Sequence, residues 1–132
     1  MNGRSDNTPS KVSAEFEAVF ARLHGILQKH VGRLSVAEDS PRRYSLECGL
    51  HPVNKKPMPA AWGEIGKGYV SFHHMGVYAC AALREGFSPQ LQARMQGKSC
   101  FNFKVRDETL FSELEKMTAG GFDALREAGY LP

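Results

Sequence analysis

Two short stretches constrain this chain more than any other part of it. Residues 67–75, Lys-Gly-Tyr-Val-Ser-Phe-His-His-Met, and residues 97–105, Gly-Lys-Ser-Cys-Phe-Asn-Phe-Lys-Val, both alternate apolar and polar side chains. Successive side chains of a strand point to opposite faces of a sheet, so each stretch predicts a strand with two chemically distinct faces. In the first, Val70, Phe72 and His74 share one face, and Tyr69, Ser71, His73 and Met75 the other. In the second, Phe101, Phe103 and Val105 oppose Cys100, Asn102 and Lys104. The aromatic and β-branched faces are expected to pack against helices. If the two strands lie close in one sheet, the remaining face gathers Tyr69, Ser71, His73, Cys100, Asn102 and Lys104. An ordinary solvated sheet face has the same alternation, so the pattern marks a surface without giving it a role.

Around these strands the chain reads α-β-β-β-(α-α)-β-α. Residues 1–10 are polar and read as a flexible leader, leaving 11–132 as a single domain. Ser10 or Ser13 can cap a first helix from about Ala14 to about His30, whose apolar stripe is Phe16, Val19, Phe20, Leu23, Ile26 and Leu27. Gly32 is its expected stop, and His24 and His30 are expected at the surface. Leu34–Arg43 reads as a connection, Tyr44–Leu50 as a first strand, His51–Pro59 as a proline-rich loop, and Ala60–Ile65 as a second strand. Gly66–Gly68 suits a tight hairpin into the third strand. Val77–Leu83 suits a short helix with Cys80 buried in it. Ser88-Pro89 suits a helix start, running to about Met95 and stopping at Gly97 before the fourth strand. Asp107 can cap a last helix carrying Leu110, Phe111, Leu114, Met117, Phe122 and Leu125. Gly120-Gly121 either bends that helix or lets its backbone pack closely on the sheet. The predicted fold is therefore α+β: a two-layer sandwich with a four-stranded, mainly antiparallel sheet packed by N- and C-terminal helices.

With 132 residues, 42% of them hydrophobic and 23% charged, the chain suits one soluble domain. No apolar run approaches the ~20 residues of a membrane span, and the N-terminus lacks the apolar core of a signal peptide, so no membrane and a cytoplasmic location are expected. Cys48, Cys80 and Cys100 form no Cys-x-x-Cys and no even set, which argues against a disulfide framework or a structural zinc cluster. The net charge of +3 hides an asymmetry. From His51 to Arg106, eight Lys or Arg stand against two acids, a net of +6; from Asp107 onward, two stand against six, a net of −4. Such a field can attract an anion, or it can join complementary surfaces within one fold or between two copies as a homodimer. The basic residues are scattered rather than clustered, which argues against nucleic acid.

Several chemistries can be weighed on the polar face. His73 and His74 are neighbours in a strand and point oppositely, so they cannot chelate one ion together without a bulge. His73 with Cys100, or with His51, is the available start of a transition-metal site, but no complete ligand set can be named. Cys100 near Lys98 and Lys104 is expected to have a lowered pKa, and with His73 it would form a nucleophilic dyad; no orienting acid or oxyanion hole accompanies it. Gly97-Lys98-Ser99 lacks the spacing and the following helix of a phosphate loop. Trp62, Tyr69, Met75, Tyr78 and Phe87 are candidates for the wall of a pocket, with Phe87 better read as core.

The ordered series Tyr69-Val70-Ser71-Phe72-His73, Ser88-Pro89, Gly97-Lys98-Ser99-Cys100-Phe101-Asn102-Phe103-Lys104 and Gly120-Gly121-Phe122 resembles the bacterial YdhG-like domain, a family described as a domain of unknown function. The likeness covers about Trp62 to Gly129. It implies a compact α/β sandwich of frataxin-like fold, and for some members an iron-chaperone role. The frataxin pattern holds iron on an acidic first helix; here that helix offers Glu15 and Glu17, then Arg22, His24 and Lys29. The leading expectation is a non-enzymatic domain that binds a small anionic ligand or a protein partner through Lys67, Tyr69, His73, Lys98, Cys100, Asn102 and Lys104, with no cofactor. The alternatives are metal handling of the frataxin kind and a thiol enzyme using Cys100.

Overall fold

In a computed structural model, which describes residues 11–50 and 55–130, the chain forms one antiparallel sheet with helices on one of its faces. The elements are α1 (Lys11–Gln28), a 3-10 turn (Val31–Arg33), β1 (Ser35–Asp39), β2 (Arg43–Leu50), β3 (Pro57–Ile65) and β4 (Val70–His74). The short helices α2 (Met75–Ala79), α3 (Ala81–Glu85) and α4 (Pro89–Gln92) follow, then β5 (Met95–Gln96), β6 (Cys100–Phe103) and the long α5 (Glu108–Glu127). The α+β class is as expected, but the sheet has six strands rather than four, in the order β1-β2-β3-β4-β6-β5. The expected leader lies outside the described residues.

The two extra strands sit at the sheet edges. β1 occupies the stretch read as a connection; all five of its residues are exposed, and an irregularity between Val36 and Glu38 interrupts its register. With no buried face, it leaves no apolar period to read. β5 is two residues long and takes the end of the expected Pro89 helix, which stops at Gln92. Gly97 consequently serves the β5–β6 turn at φ +76 rather than a helix stop.

Other boundaries moved for physical reasons. Pro57 and Pro59 lie in β3, not in a loop. β4 pairs only with Ala61–Ile65, so the proline end of β3 has β2 alone as neighbour, and the β2–β3 register shifts twice there. A proline is tolerated where one side of a strand makes no ladder. His51–Asn54 lie outside the described residues. The third predicted strand begins at Val70, because Gly66–Tyr69 form the hairpin, closed by Gly66 N–H donating to Tyr69 O at 2.8 Å. The single helix expected over Val77–Leu83 is two, broken at Cys80, whose backbone is extended and which is half-buried rather than buried. Gly32 lies in the 3-10 turn, and α1 ends at Gln28. His24 and His30 are half-buried, the first against Tyr44 (4.1 Å between ring centres) and the second against Phe122 (4.9 Å).

The caps predicted at Ser88 and Asp107 and the predicted stripes are present. Ser88 Oγ accepts from Leu91 N–H and Asp107 Oδ1 from Leu110 N–H, each at 3.1 Å. Every apolar residue expected on α1 and α5 is buried. They close over the inner row Tyr44, Gly63, Phe72 and Phe101, which are cross-strand neighbours. Phe72, Phe101, Phe103 and Phe111 are the largest fully buried side chains among the described residues. Val105, expected on the packed face, lies past the end of β6 and is exposed. Arg22 with Glu108, Lys29 with Glu115 and Arg106 with Glu15 bridge the two long helices and their approach. Part of the acidic charge of α5 is thus answered within the fold, by α1. No helix among the described residues is long and apolar enough to cross a membrane.

Candidate functional site

Register assembles the outer face of the sheet into two transverse rows. Ser45, Trp62, His73, Cys100 and Gln96 are successive cross-strand neighbours from β2 to β5. Arg43, Glu64, Ser71 and Asn102 form the next row. The expected proximity of the two alternating strands therefore holds: β4 and β6 pair directly, and His73 stands opposite Cys100.

Within the first row the side chains touch. The Trp62 and His73 rings stack at 4.5 Å and 11°. The guanidinium of Arg43 lies 5.7 Å from the Trp62 ring centre and 3.8 Å from Glu64 Oε1. His73 Nε2 and Cys100 Sγ are 3.3 Å apart. The Cys100 thiol also donates to Asn102 Oδ1 at 3.4 Å, while Asn102 Nδ2 donates to Gln96 Oε1 at 2.8 Å. The amide of Asn102 is thereby oriented with its oxygen toward the sulfur.

The electrostatics differ from the sequence expectation at Cys100. Burial pushes its thiol up, and the neighbouring lysines do not lower it. Burial also holds the His73 imidazole below its ordinary range; Glu64 opposes this and Arg43 adds to it. The pair consequently rests as a neutral thiol beside a neutral imidazole, not as a thiolate–imidazolium dyad.

A groove of about 440 Å³ opens beside this row at the β3–β4 hairpin, lined by Glu64, Gly66, Lys67, Gly68, Tyr69, Ser71, His73 and Cys100. Four of the seven predicted site residues, Lys67, Tyr69, His73 and Cys100, line it. Asn102 touches it through Cys100. Lys104 follows Phe103, the partner of Val70, and so lies at the hairpin end of the sheet. Lys98 lies at the opposite end, beside a second cavity of about 480 Å³ that includes Arg84, Gln92 and Met95. The face does not collect all three lysines at one point. Of the proposed pocket wall, Tyr69 lines the groove, Trp62 backs His73, Tyr78 is exposed, and Phe87 is core against Phe101 at 5.7 Å.

Arg43, Glu64 and Gln96 were not among the predicted candidates, and Ser71 and Trp62, expected on the polar face and the pocket wall, were not among the seven binding residues. Trp62 and Glu64 were recoverable: a four-residue hairpin over 66–69 fixes Ile65 opposite Val70, and hence Trp62 opposite His73 and Glu64 opposite Ser71. Arg43 and Gln96 were not, since one follows a turn with a shifted register nearby and the other sits in a two-residue strand.

His74 belongs to the other face. It is wholly buried, its Nδ1 accepting from Gly76 N–H and its Nε2 meeting Thr118 O, each at 3.0 Å. It caps α2 and has no part in the groove.

Among the described residues, no group of three or more His, Cys, Asp or Glu side chains is placed to hold a metal ion. No family model, no curated protein and no solved structure matches this chain.

Proposed function

We propose that the chain is a non-enzymatic binding domain whose hairpin groove takes a small anionic ligand. The observation that carries this reading is the lining itself. Lys67 makes no ion pair among the described residues and stands over a groove that also presents the Tyr69 ring, the Ser71 hydroxyl and a neutral His73. A concave site with an unpaired lysine, one aromatic surface and a few placed hydrogen-bonding groups suits a small ligand. Lys67 supplies charge, Tyr69 a stacking surface, and Ser71 and His73 directional bonds. Glu64, the acid of the groove, lies 3.8 Å from Arg43, which also pairs with Glu38 at 3.0 Å. Lys104 adds positive potential at the same end; Lys98, at the other end, contributes less.

The YdhG-like resemblance and its frataxin-like fold belong to this proposal as the family assignment. The iron-handling role it implies has weaker support, because α1 offers only Glu15, engaged by Arg106, and Glu17 before it presents Arg22 and Lys29. A thiol enzyme is also less supported, because burial disfavours the Cys100 thiolate. Titration of the protein with inorganic phosphate and nucleotides, followed by calorimetry, tests the reading. Binding that weakens at least tenfold in Lys67→Ala supports it; equal affinity in that variant removes the groove as the site.

A further inference from the structure

An anion alone does not explain why the groove holds an acid. Glu64 lines it together with Lys67, Tyr69, Ser71 and His73. The Glu64 side chain is 48% exposed, and Arg43 Nε, its ion-pair partner, stands 3.8 Å from Oε1, beyond hydrogen-bonding reach. Arg43 donates instead to Glu38 at 3.0 Å. Among the described residues, neither Glu64 oxygen accepts a hydrogen bond. A carboxylate only accepts, and its two oxygens can take two parallel N–H donors. Left bare, it would repel an anion held nearby. Bound to a pair of donors on the same ligand, it becomes a specificity contact.

We infer that the ligand of the hairpin groove is a guanine nucleotide, with its base edge on Glu64, its ring against Tyr69 and its phosphate on Lys67. The inference rests on the anion reading for the phosphate contact and adds the base contact to it. Glu64 stands opposite Ser71 on the β3–β4 ladder, and Lys67 follows three residues later in the turn. At ~3.3 Å per strand residue their backbones lie at most about 10 Å apart. Tyr69 belongs to the same turn and is 40% exposed. A matching ligand is flat, carries two adjacent N–H donors at one end and bears its negative charge at the other. Guanine presents N1–H and its 2-amino group side by side, whereas adenine, cytosine and uracil each place an acceptor beside a donor. A guanidinium has a similar donor pair, but as a cation it would be repelled by Arg43 on the same carboxylate; the neutral guanine edge is not. The groove, at about 440 Å³, falls within the ~300–1,000 Å³ of small-molecule sites.

The test is calorimetry on the full chain with guanosine monophosphate, adenosine monophosphate, guanosine and inorganic phosphate. Guanosine monophosphate is expected to bind the wild type at least tenfold more tightly than adenosine monophosphate. In Glu64→Gln that preference disappears, because an amide replaces one of the two acceptors by a donor. Phosphate affinity in the same variant stays unchanged or rises, because a like charge has gone, and its retention shows that the variant folds. Equal affinity of the wild type for the two nucleotides, or a guanine preference that survives Glu64→Gln, overturns the inference; phosphate binding that is lost in Lys67→Ala then leaves the anion reading standing. Guanosine separates the two in the other direction. Guanosine binding that Glu64→Gln abolishes, with no phosphate bound at all, supports the base contact and removes the anion one.

Discussion

Gly121 of α5 lies flat against the imidazole of His74: a Cβ built on Gly121 would stand 2.6 Å from His74 Cε1. Gly76 meets the same turn of α5 backbone to backbone, where a Cβ would overlap the Gly121 carbonyl. Close approach, not bending, is therefore the reason for Gly121, whereas a Cβ on Gly120 would meet only the Leu83 side chain at 3.3 Å; α5 runs unbroken from Glu108 to Glu127 through both. Gly121→Ala forces the buried ring to move, and overpacking of this kind costs about 1–3 kcal/mol. Gly76→Ala meets backbone, which yields less than a side chain, and should cost more. Urea denaturation checks both; wild-type stability in either variant would contradict this packing.

The same histidine sets a pH dependence. Burial lowers His74 from the ordinary 6.5 to about 4; its bond to the Thr118 carbonyl opposes the shift and nearby His30 adds to it. A lowered folded pKa means the unfolded chain binds the proton first as pH falls. Stability is then complete above about pH 6.5 and declines toward pH 4, by about 3 kcal/mol from His74 at 1.36 kcal/mol per unit. His30 and His73, also lowered by burial, act in the same direction. Unfolding free energy measured between pH 7.5 and 5 should fall. The His74 Cε1 proton resonance should keep its neutral position to about pH 5; movement of that resonance near pH 6.5 would show that the ring is not buried as described.

How much of this was legible from residues follows from which groups are buried. The stripes Phe16-to-Leu27 and Leu110-to-Leu125 and the alternation at Val70 and Phe101 are imposed by a core, and burial writes a period into sequence. β1 has no buried residue, and β5 is too short to show a period, so both edges were silent. The pairing of His73 with Cys100 could be anticipated because both strands have a sharp inside and outside. The protonation state of that pair could not: it depends on how far Trp62 and neighbouring side chains cover the face, and Lys98 and Lys104, near Cys100 in sequence, are exposed.

Cys100 labelling separates a binding face from a reactive thiol. With its thiol pushed up by burial, Cys100 should react slowly with iodoacetamide at pH 7 in chelator and accelerate only as pH rises past the ordinary thiol range. Peptide mapping by mass spectrometry distinguishes it from Cys48 and Cys80. Selective, rapid labelling of Cys100 at neutral pH would favour the thiol enzyme instead.

An anion in the hairpin groove is tested by a thermal-shift titration with inorganic phosphate and nucleotides, on the wild type and on Lys67→Ala. A ligand that binds only the folded state adds about 2.7 kcal/mol at a hundredfold excess over its dissociation constant. The melting temperature of the wild type should rise with ligand concentration, an effect largely lost in Lys67→Ala and retained in Lys98→Ala, whose lysine lies at the other end of the sheet. No rise with any anion, or a rise abolished by Lys98→Ala and untouched by Lys67→Ala, would contradict it.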